Sequence, residues 1–422
     1  MLELTYKYSL KKGKSKMFSY LSCSLKRRKT ANLITMGISV MLVLLLNLYF
    51  GSISSYQRQL IDLAQNVPIY CQITNLNGSM GNELFISEQI LDGLQQSAHV
   101  KDLSYMTVMM AGEGDFKETE YSKYLNLYVV GANRAEAVGE LTNDMIHMET
   151  GNVDELLSSD RMECIVNENV LKKRGWKVGD KIVLKCYYYD PASEFNKVEI
   201  HSMGGTIEVT IVGTMEDIAG KTNAIATDVV IPAKAVRDFF GQCGLKFFSD
   251  TITFHVKDPL NLNAFKVDMQ EIGLMETSAE AMDSYTGCAL TVRDANFIAS
   301  ATDLRHTIEL MQSFFPAICI LVLLIGYVVS YLSGNSRKDE FALLRLQGVK
   351  KINGSVLFLL EQMILVLMGN LIGDAVIALI SPSLATMAVV NGVLLAAYVI
   401  GAAAAYGRMS KGSVVYLLST QQ

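Results

Sequence analysis

The stretch SRKDEFALLRLQGVKK, residues 336–351, is charged and lies between two apolar runs, 314–333 and 354–380. Each run is long enough, at about 1.5 Å of rise per residue, to cross a hydrocarbon layer of roughly 30 Å. Two further apolar runs, 31–51 and 384–406, share this property. The sequence therefore predicts four transmembrane helices, and it puts the quoted stretch in the loop between the second and the third.

Basic residues predict the orientation of these helices. Residues 1–30 carry nine Lys or Arg and a single acidic residue, and the loop 334–353 carries five Lys or Arg. Because short loops rich in Lys and Arg stay on the cytoplasmic side, both segments and the tail 407–422 are predicted to be cytoplasmic. Residues 52–313 are then extracytoplasmic. The first apolar run is followed by no small-residue cleavage site and is interpreted as an uncleaved anchor.

The extracytoplasmic region divides into a stalk and a domain. Apolar residues recur every three or four positions beside the first two spans, which predicts two stalk helices. Between them, alternating stretches such as GTIEVTIVGTMED indicate strands, and ENVLKKRG indicates a helix. The fold class is thus an α-helical membrane protein with an α+β domain inserted between helices 1 and 2. The predicted segments are 1–30 (basic, amphipathic, cytoplasmic), 31–51 (span 1), 52–66 (stalk), 67–295 (α+β domain), 296–313 (stalk), 314–333 (span 2), 334–353 (cytoplasmic helix loop), 354–380 (span 3), 384–406 (span 4) and 407–422 (tail).

Charge and cysteine content narrow the choice of partners. Residues 51–312 carry 21 basic and 37 acidic side chains, so the domain is acidic and nucleic acid is excluded as a partner. The same charge mildly favours cationic ligands, although solubility is the simpler explanation and the one we prefer. The domain's cysteines are odd in number and widely spaced, which indicates no disulfide framework but leaves one bridge possible: Cys71, Cys164, Cys186, Cys243 and Cys288.

Motifs for catalysis or for cofactor binding are weak. The GKS of residues 13–15 lacks the first glycine of a P-loop, because Tyr8 stands at that position. The five histidines are scattered and have no metal-binding spacing, and no G-x-S-x-G elbow is present. We therefore predict no catalytic residue, no metal ligand and no cofactor in this chain.

The quoted stretch itself predicts a short amphipathic helix. Ser336 followed by Asp339 is typical of a helix start, and Gly348 followed by two lysines is typical of an end. The apolar side chains gather on one side: Phe341, Leu343, Leu344 and Leu346. By pattern alone, such a helix lies on the lipid surface or inserts into a groove of another protein.

Four stretches carry a resemblance to a known family. RKDEFALLRLQGVKK resembles the cytoplasmic signature R-x-x-E-x-x-x-x-R-x-x-G of FtsX-like and MacB-like permeases of ABC transporters, matched by Arg337, Glu340, Arg345 and Gly348. SLKRRKTANLITMGISV resembles the start of the family's first span, and VLFLLEQMILVLMGNLIG resembles its third. VNENVLKKRGWKVGDKIVL resembles its periplasmic-core ectodomain. Four spans, an ectodomain after the first span and a cytoplasmic helix after the second follow the family's order, and together they cover almost the whole chain.

The resemblance implies a half-size, non-catalytic permease subunit in the bacterial plasma membrane that works by mechanotransmission. A separate cytoplasmic ATPase would bind ATP and Mg, dock on the helix of the quoted stretch and move the extracytoplasmic domain, for export of a peptide, antibiotic or lipid-linked cargo. The implied docking residues are Arg337, Glu340, Phe341, Leu344, Arg345 and Gly348. Regulation of cell-wall hydrolases, release of lipoproteins and sensing without an ATPase are the alternatives.

Four residues of the third span are further candidates. Glu361 is predicted to position the span, and Gly369 with Gly373 allows close helix packing, either within the chain or with another permease copy. Asp374 is costly in a membrane, so it either reaches water near the outer end or serves a substrate or gating role. The remaining predicted partners are a second or homologous permease, membrane lipids and an extracytoplasmic peptide or protein.

Overall fold

The computed structural model describes residues 28–117, 120–190, 199–218, 221, 225–380 and 384–410. They form two compact units: one ends at Asp62 and resumes at Ser300, and the other is Leu63–Ala299. Most of the predicted basic segment 1–30 and residues 411–422 of the tail lie outside the described residues.

Helices and strands follow in this order: α1 Lys29–Asn66, β1 Tyr70–Asn75, β2 Ile86–Ser87, α2 Glu88–Gln96, β3 Val100–Glu113, α3 Tyr121–Tyr124, β4 Leu127–Ala132, β5 Ile146–Met148, α4 Val153–Leu157, β6 Glu163–Asn167, α5 Glu168–Arg174, β7 Lys181–Asp190, β8 Glu199–Met215, β9 Val229–Pro232, α6 Ala233–Gln242, β10 Phe248–Ser249, β11 Thr251–Val256, α7 Leu262–Glu271, β12 Met275–Glu276, β13 Gly287–Arg293, α8 Ala295–Asn335, α9 Lys338–Leu346, α10 Lys351–Ile380 and α11 Leu384–Ser410. Single 3-10 turns occupy Ala135–Val138, Asn143–Met145 and Pro259–Asn261.

Four helices of the first unit, α1, α8, α10 and α11, are long and apolar enough to cross a membrane, which confirms the number of such helices predicted. The buried side chains of these four helices and of α9 form one core: Leu42, Val43, Leu46, Val322, Phe341, Ala342, Phe358, Val366, Val390, Leu394, Tyr398, Ala402 and Tyr406. Many outward side chains are large and apolar, among them Leu321, Leu371 and Leu379, which are 53%, 70% and 88% exposed. A bilayer accommodates such a surface, whereas water does not.

The second unit is built on one large mixed sheet. In the described part, its strands run in the order β12-β13-β1-β11-β3-β4-β9-β6-β8-β5, and β7 pairs with β3 and β8. The pairs β4–β9, β6–β8 and β12–β13 are parallel, and the other pairs of this sheet are antiparallel. β2 and β10 form a separate ribbon. This mixture confirms the predicted α+β class of the domain.

Local sequence patterns account for several of these elements. The period-two alternation of Ile207, Val209 and Ile211 buries one face of β8, as expected for a strand covered on that side. ENVLKKRG forms α5 and ends at Gly175, whose left-handed φ of 75° suits a residue without a Cβ. The proline of VVIPAKAVRDFF lies at the junction of β9 and α6. Its lack of a backbone N–H removes no helical hydrogen bond at this position.

Three cysteines of the domain belong to its core. Burial raises the pKa of the Cys71, Cys164 and Cys186 thiols to about 12 in each case, because a thiolate is poorly solvated in an apolar interior. These thiols therefore act as small hydrophobic side chains rather than as nucleophiles.

Candidate functional site

Helix α9 begins one residue later than the sequence predicts. Arg337 occupies the N-cap position, and its side chain forms no capping hydrogen bond. Ser336, the predicted cap, instead donates its hydroxyl to the Ser333 carbonyl at 2.9 Å, since α8 continues as far as Asn335. The assignment of Ser336 as the cap was wrong because the preceding helix takes up this hydroxyl.

The end of α9 depends on Gly348. Its φ of 87° lies in the left-handed region that glycine adopts without strain. The Gly348 and Val349 amides donate to the Arg345 and Leu344 carbonyls, each at 3.1 Å, so the last turn is satisfied. Gly348 thus ends the helix, and none of the described residues other than its chain neighbours lies within 4 Å of the position that a Cβ would take there.

Arg337 is the centre of a buried ion network. Its Nε donates to Glu340 Oε2 at 2.9 Å, and its Nη1 donates to Glu361 Oε2 at 2.7 Å. The side chains of Arg337 and Glu361 are only 7% and 4% exposed. The guanidinium also stacks over the Phe358 ring at 4.3 Å. Because a buried charge is tolerated only when it is well paired, this network fixes α9 firmly to α10.

A second arginine ties the start of α1 to the same place. Arg28 Nη1 donates to the hydroxyl and the carbonyl oxygen of Ser336 at 3.0 and 3.2 Å. Its Nη2 approaches Glu340 Oε1 at 3.4 Å, so Glu340 is shared between two arginines. The sequence offered Arg28 only as one of a run of basic residues beside the first span. Nothing in that run distinguishes it from its neighbours.

The apolar side of α9 faces the rest of the chain. Phe341 is fully buried against Phe358, with ring centroids 5.9 Å apart. A Cβ at Gly354 would lie 2.9 Å from Phe341 Cε2, so the absence of a side chain there admits the ring. Leu344 is half-buried against the same core. In this chain the Phe341 ring therefore anchors α9 to the core, and its side chain is 0% exposed.

The outer side of α9 presents apolar side chains that were not among the predicted docking residues. Leu343 and Leu346 are 56% and 65% exposed, and Ile352, at the start of α10, is 74% exposed. Arg345 is half-buried beside them. An anchored inner face and an apolar outer face on one short helix are what a docking element requires.

The two glycines of the third span pack inside the chain. A Cβ at Gly369 would lie 2.7 Å from Ser39 Cβ, and one at Gly373 would lie 2.9 Å from Val43 Cγ1. Both glycines therefore allow α10 to approach α1 closely. Of the two interpretations from sequence, packing within the chain accounts for their positions.

Asp374 joins α10 to α11. Asn391 donates its amide to Asp374 Oδ2 at 2.6 Å, and the Asp374 side chain is half-buried. One turn away, Ser39 donates to Asn370 Oδ1 at 2.7 Å. Thirteen residues of helix separate Asp374 from Glu361, which is roughly 20 Å at 1.5 Å per residue. Asp374 is thus remote from the α9 network.

Comparison with known proteins bears on the domain. The sequence model described as MacB-like periplasmic core domain matches residues 30–272. The periplasmic region of MacB from Actinobacillus actinomycetemcomitans is 10% identical with a TM-score of 0.31, over 58% of this chain and 95% of that chain. A domain of a putative permease protein from Porphyromonas gingivalis is 13% identical with a TM-score of 0.28, over 53% of this chain and 86% of that chain. The extracellular domain of the noncanonic ABC-type transporter YknZ from Gram-positive bacteria is 12% identical with a TM-score of 0.24, over 53% of this chain and 97% of that chain. No curated protein matches.

Proposed function

The chain belongs to the family with the MacB-like periplasmic core domain, and from that membership we propose that it is the permease subunit of an ABC transporter working by mechanotransmission. An ATP-binding subunit docks on α9 from the cytoplasm and supplies ATP and Mg, which this chain does not bind. Its movement is passed through the helices to the extracytoplasmic domain, for export of a peptide, antibiotic or lipid-linked cargo.

The observation that carries this proposal is the mounting of α9. Arg337, Glu340 and Glu361 hold its inner face by charge-assisted hydrogen bonds of 2.7–2.9 Å, and Phe341 anchors it in the core. Leu343 and Leu346 remain exposed on the other side. A push on a loosely attached helix would be lost in local motion, whereas a push on α9 moves α10 as well.

The length of two helices supports transmission to the outside. α1 has 38 residues and α8 has 41, although about 20 residues suffice for a hydrocarbon core of roughly 30 Å. The surplus turns must leave the membrane, and in the proposed orientation they do so on the extracytoplasmic side. Tyr49 donates a hydrogen bond to the Met311 carbonyl, and Phe50 meets Phe315 with ring centroids 5.7 Å apart. α1 and α8 would therefore move as a pair.

The test is photocrosslinking from α9 in cells. A photoreactive amino acid at Leu346 should join the chain to a polypeptide that contains a complete P-loop, identified by mass spectrometry. Leu343→Asp, with the photoreactive residue kept at position 346, should abolish that product, because the docking surface loses an apolar side chain and gains a charge. A photoreactive residue at Leu379, which is exposed at the far end of α10, is the matched control and should give no such product.

Crosslinks from Leu346 to lipid alone, in a chain that is correctly inserted, would refute docking of an ATPase on α9. They would favour the interpretation of α9 as a helix that lies on the membrane surface.

A further inference from the structure

The domain has a polar cavity that the coupling mechanism does not use. It encloses about 520 Å³, within the range of small-molecule sites, and it lies over strands β13, β1, β11 and β3. These strands place polar side chains in register across one face of the sheet. Arg293, Tyr70 and His255 are cross-strand partners in one row, and Gln72, Thr253 and Ser104 are partners in the next.

Strict alternation explains why this face is polar. In YCQIT and TITFH, every second residue is polar, and the residues between them, such as Cys71, Ile73, Ile252 and Phe254, are at most 1% exposed in the core on the other face. A polar sheet face normally lies in water. Here, however, Ser104 and Thr251 are each only 7% exposed. The face is therefore covered at these two residues, whereas Arg293 on the same face is exposed.

A bulge in β3 shapes one wall of the cavity. His255 pairs with Lys101 but Thr253 pairs with Ser104, so β3 has one residue more than β11 between these pairs. Asp102, in the bulge, has a φ of 54° and lines the cavity. Bulges of this kind redirect a side chain, and here Arg134 Nη1 meets Asp102 Oδ1 at 3.5 Å.

Hydrogen-bonding capacity in this region is left over. Among the described residues, Ser104 Oγ and His255 Nδ1 are buried and have no hydrogen-bond partner. Buried polar atoms are nearly always paired in folded proteins. The half-buried Gln72 already donates its amide to the Gly81 carbonyl at 3.1 Å. Its side-chain oxygen, Ser104 Oγ and His255 Nδ1 are therefore the groups that a peptide backbone could use.

Exposed charged side chains line the two ends of the cavity, Arg293 at one end and Glu136 with Arg134 at the other. Arg293 stacks on Tyr70 at 5.1 Å, and no carboxylate among the described residues pairs with it. On the other side, Glu136 lies in the turn Ala135–Val138, which packs on β3, β4 and β11, and no described cation pairs with it. The strands β13 and β3 are three intervals apart, roughly 14 Å at about 4.8 Å per interval.

We propose that this cavity binds a short zwitterionic peptide, with its carboxylate on Arg293 and its ammonium group near Glu136. An extended tripeptide spans about 10 Å, which fits between side chains that reach inward from the two ends. The hydroxyl and amide row formed by Gln72, Thr253 and Ser104 would meet the peptide groups between the charges. This inference stands whether or not an ATPase docks on α9.

The test is calorimetric titration of the full-length chain in detergent with three probes: Ala-Ala-Ala with free ends, its N-acetylated form and its C-amidated form. The free tripeptide should bind, and each blocked form should bind about tenfold more weakly. Arg293→Gln should weaken the free tripeptide by a similar factor and leave the amidated form unaffected. Glu136→Gln should do the same for the free tripeptide and leave the acetylated form unaffected.

Lys181→Gln is the matched control, because Lys181 is an exposed cation that pairs with Glu208 on the same sheet away from the cavity. It should leave all three titrations unchanged. The proposal is overturned if the free tripeptide gives no binding heat at millimolar concentration. It is equally overturned if all three probes bind alike, or if Arg293→Gln weakens the free and amidated probes to the same extent.

Discussion

At the scale of single residues, the two charged side chains buried in the described part of the helical unit, Arg337 and Glu361, are paired with each other. Arg337 and Glu361 are joined at 2.7 Å and almost completely buried. Their mutual attraction repays much of the cost of removing both charges from water. Without Arg337, Glu361 would lose this partner, whereas without Glu361, Arg337 would keep Glu340 at 2.9 Å. The pair is therefore better regarded as a device that fixes position than as a large net source of stability.

Replacing one member of this pair should be far worse than replacing both. Arg337→Met or Glu361→Met alone is expected to destabilise the helical unit by about 3–5 kcal/mol, and the double variant should recover most of that loss. Thermal unfolding followed by circular dichroism in detergent measures the three changes. A loss in the double variant equal to the sum of the two single-variant losses would contradict a coupled pair.

A buried carboxyl should make the domain sensitive to pH. Burial raises the pKa of Asp250 to about 8, and the nearby Glu83 charge adds to this effect, although the Val108 amide donates to Asp250 Oδ2 at 2.6 Å and opposes it. In the unfolded chain the pKa is about 3.9. Between about pH 3.9 and pH 8 the folded domain therefore binds one proton more than the unfolded chain. The stabilisation that this proton provides is complete below about pH 3.9 and is lost as the pH rises through 8.

Acidification from pH 8.5 to pH 5 is thus expected to stabilise the domain, and Asp250→Asn should flatten that dependence because the amide stays neutral. Trp176 is the only tryptophan of the chain and is buried in the domain, so its fluorescence during urea unfolding reports this unit. Unfolding midpoints that respond to pH equally in the wild type and in the variant would assign the effect to other groups.

At the scale of elements, helix packing is set by small residues at defined contacts. Gly369→Val should force α10 away from α1, because an added Cβ already falls 2.8 Å from the Met36 carbonyl oxygen. We expect a loss of about 1–3 kcal/mol, typical of overpacking, measured as the thermal midpoint in detergent. Gly392→Val on α11 is the matched control, since nothing lies within 4 Å of a Cβ there. Similar midpoints for both variants would argue against this contact.

At this scale, the features that could be predicted from the sequence are those that depend on neighbouring residues, and the features that were missed depend on contacts between distant residues. The apolar runs, the period-two strand β8 and the helix ended by Gly175 are local patterns, and each predicted element is present. The burial of Phe341 was missed because a helical pattern shows which residues share a side, not which side meets a neighbour. The Arg337–Glu361 pair joins positions 24 residues apart, and no local pattern selects Glu361 as its partner.

The cavity could not be predicted for the same reason. Its floor brings together Tyr70, His255 and Arg293, which lie on three strands separated by long stretches of chain. Each of them alone is an ordinary polar residue at an alternating position. Only the strand order makes them neighbours.

At the scale of the whole molecule, the proposed orientation can be tested by accessibility. In a variant without native cysteines, Gln59→Cys in α1 should react in intact cells with a membrane-impermeant maleimide. Lys350→Cys, next to α9, should react only after the cells are opened. The reason is that the positive-inside bias places the α9 loop in the cytoplasm and the end of α1 outside. Labelling of Lys350→Cys in intact cells would overturn the docking of a cytoplasmic ATPase.

The pairing of β1 with β13 has a consequence for how such chains diversify. Tyr70, four residues after α1 ends, is the ladder partner of Arg293, two residues before α8 begins. Paired strands hold their backbones about 5 Å apart, however many residues lie between them in the sequence. The two ends of the domain are therefore held next to each other. A domain of another size could be inserted at the same place without changing the distance between the two helices that it connects.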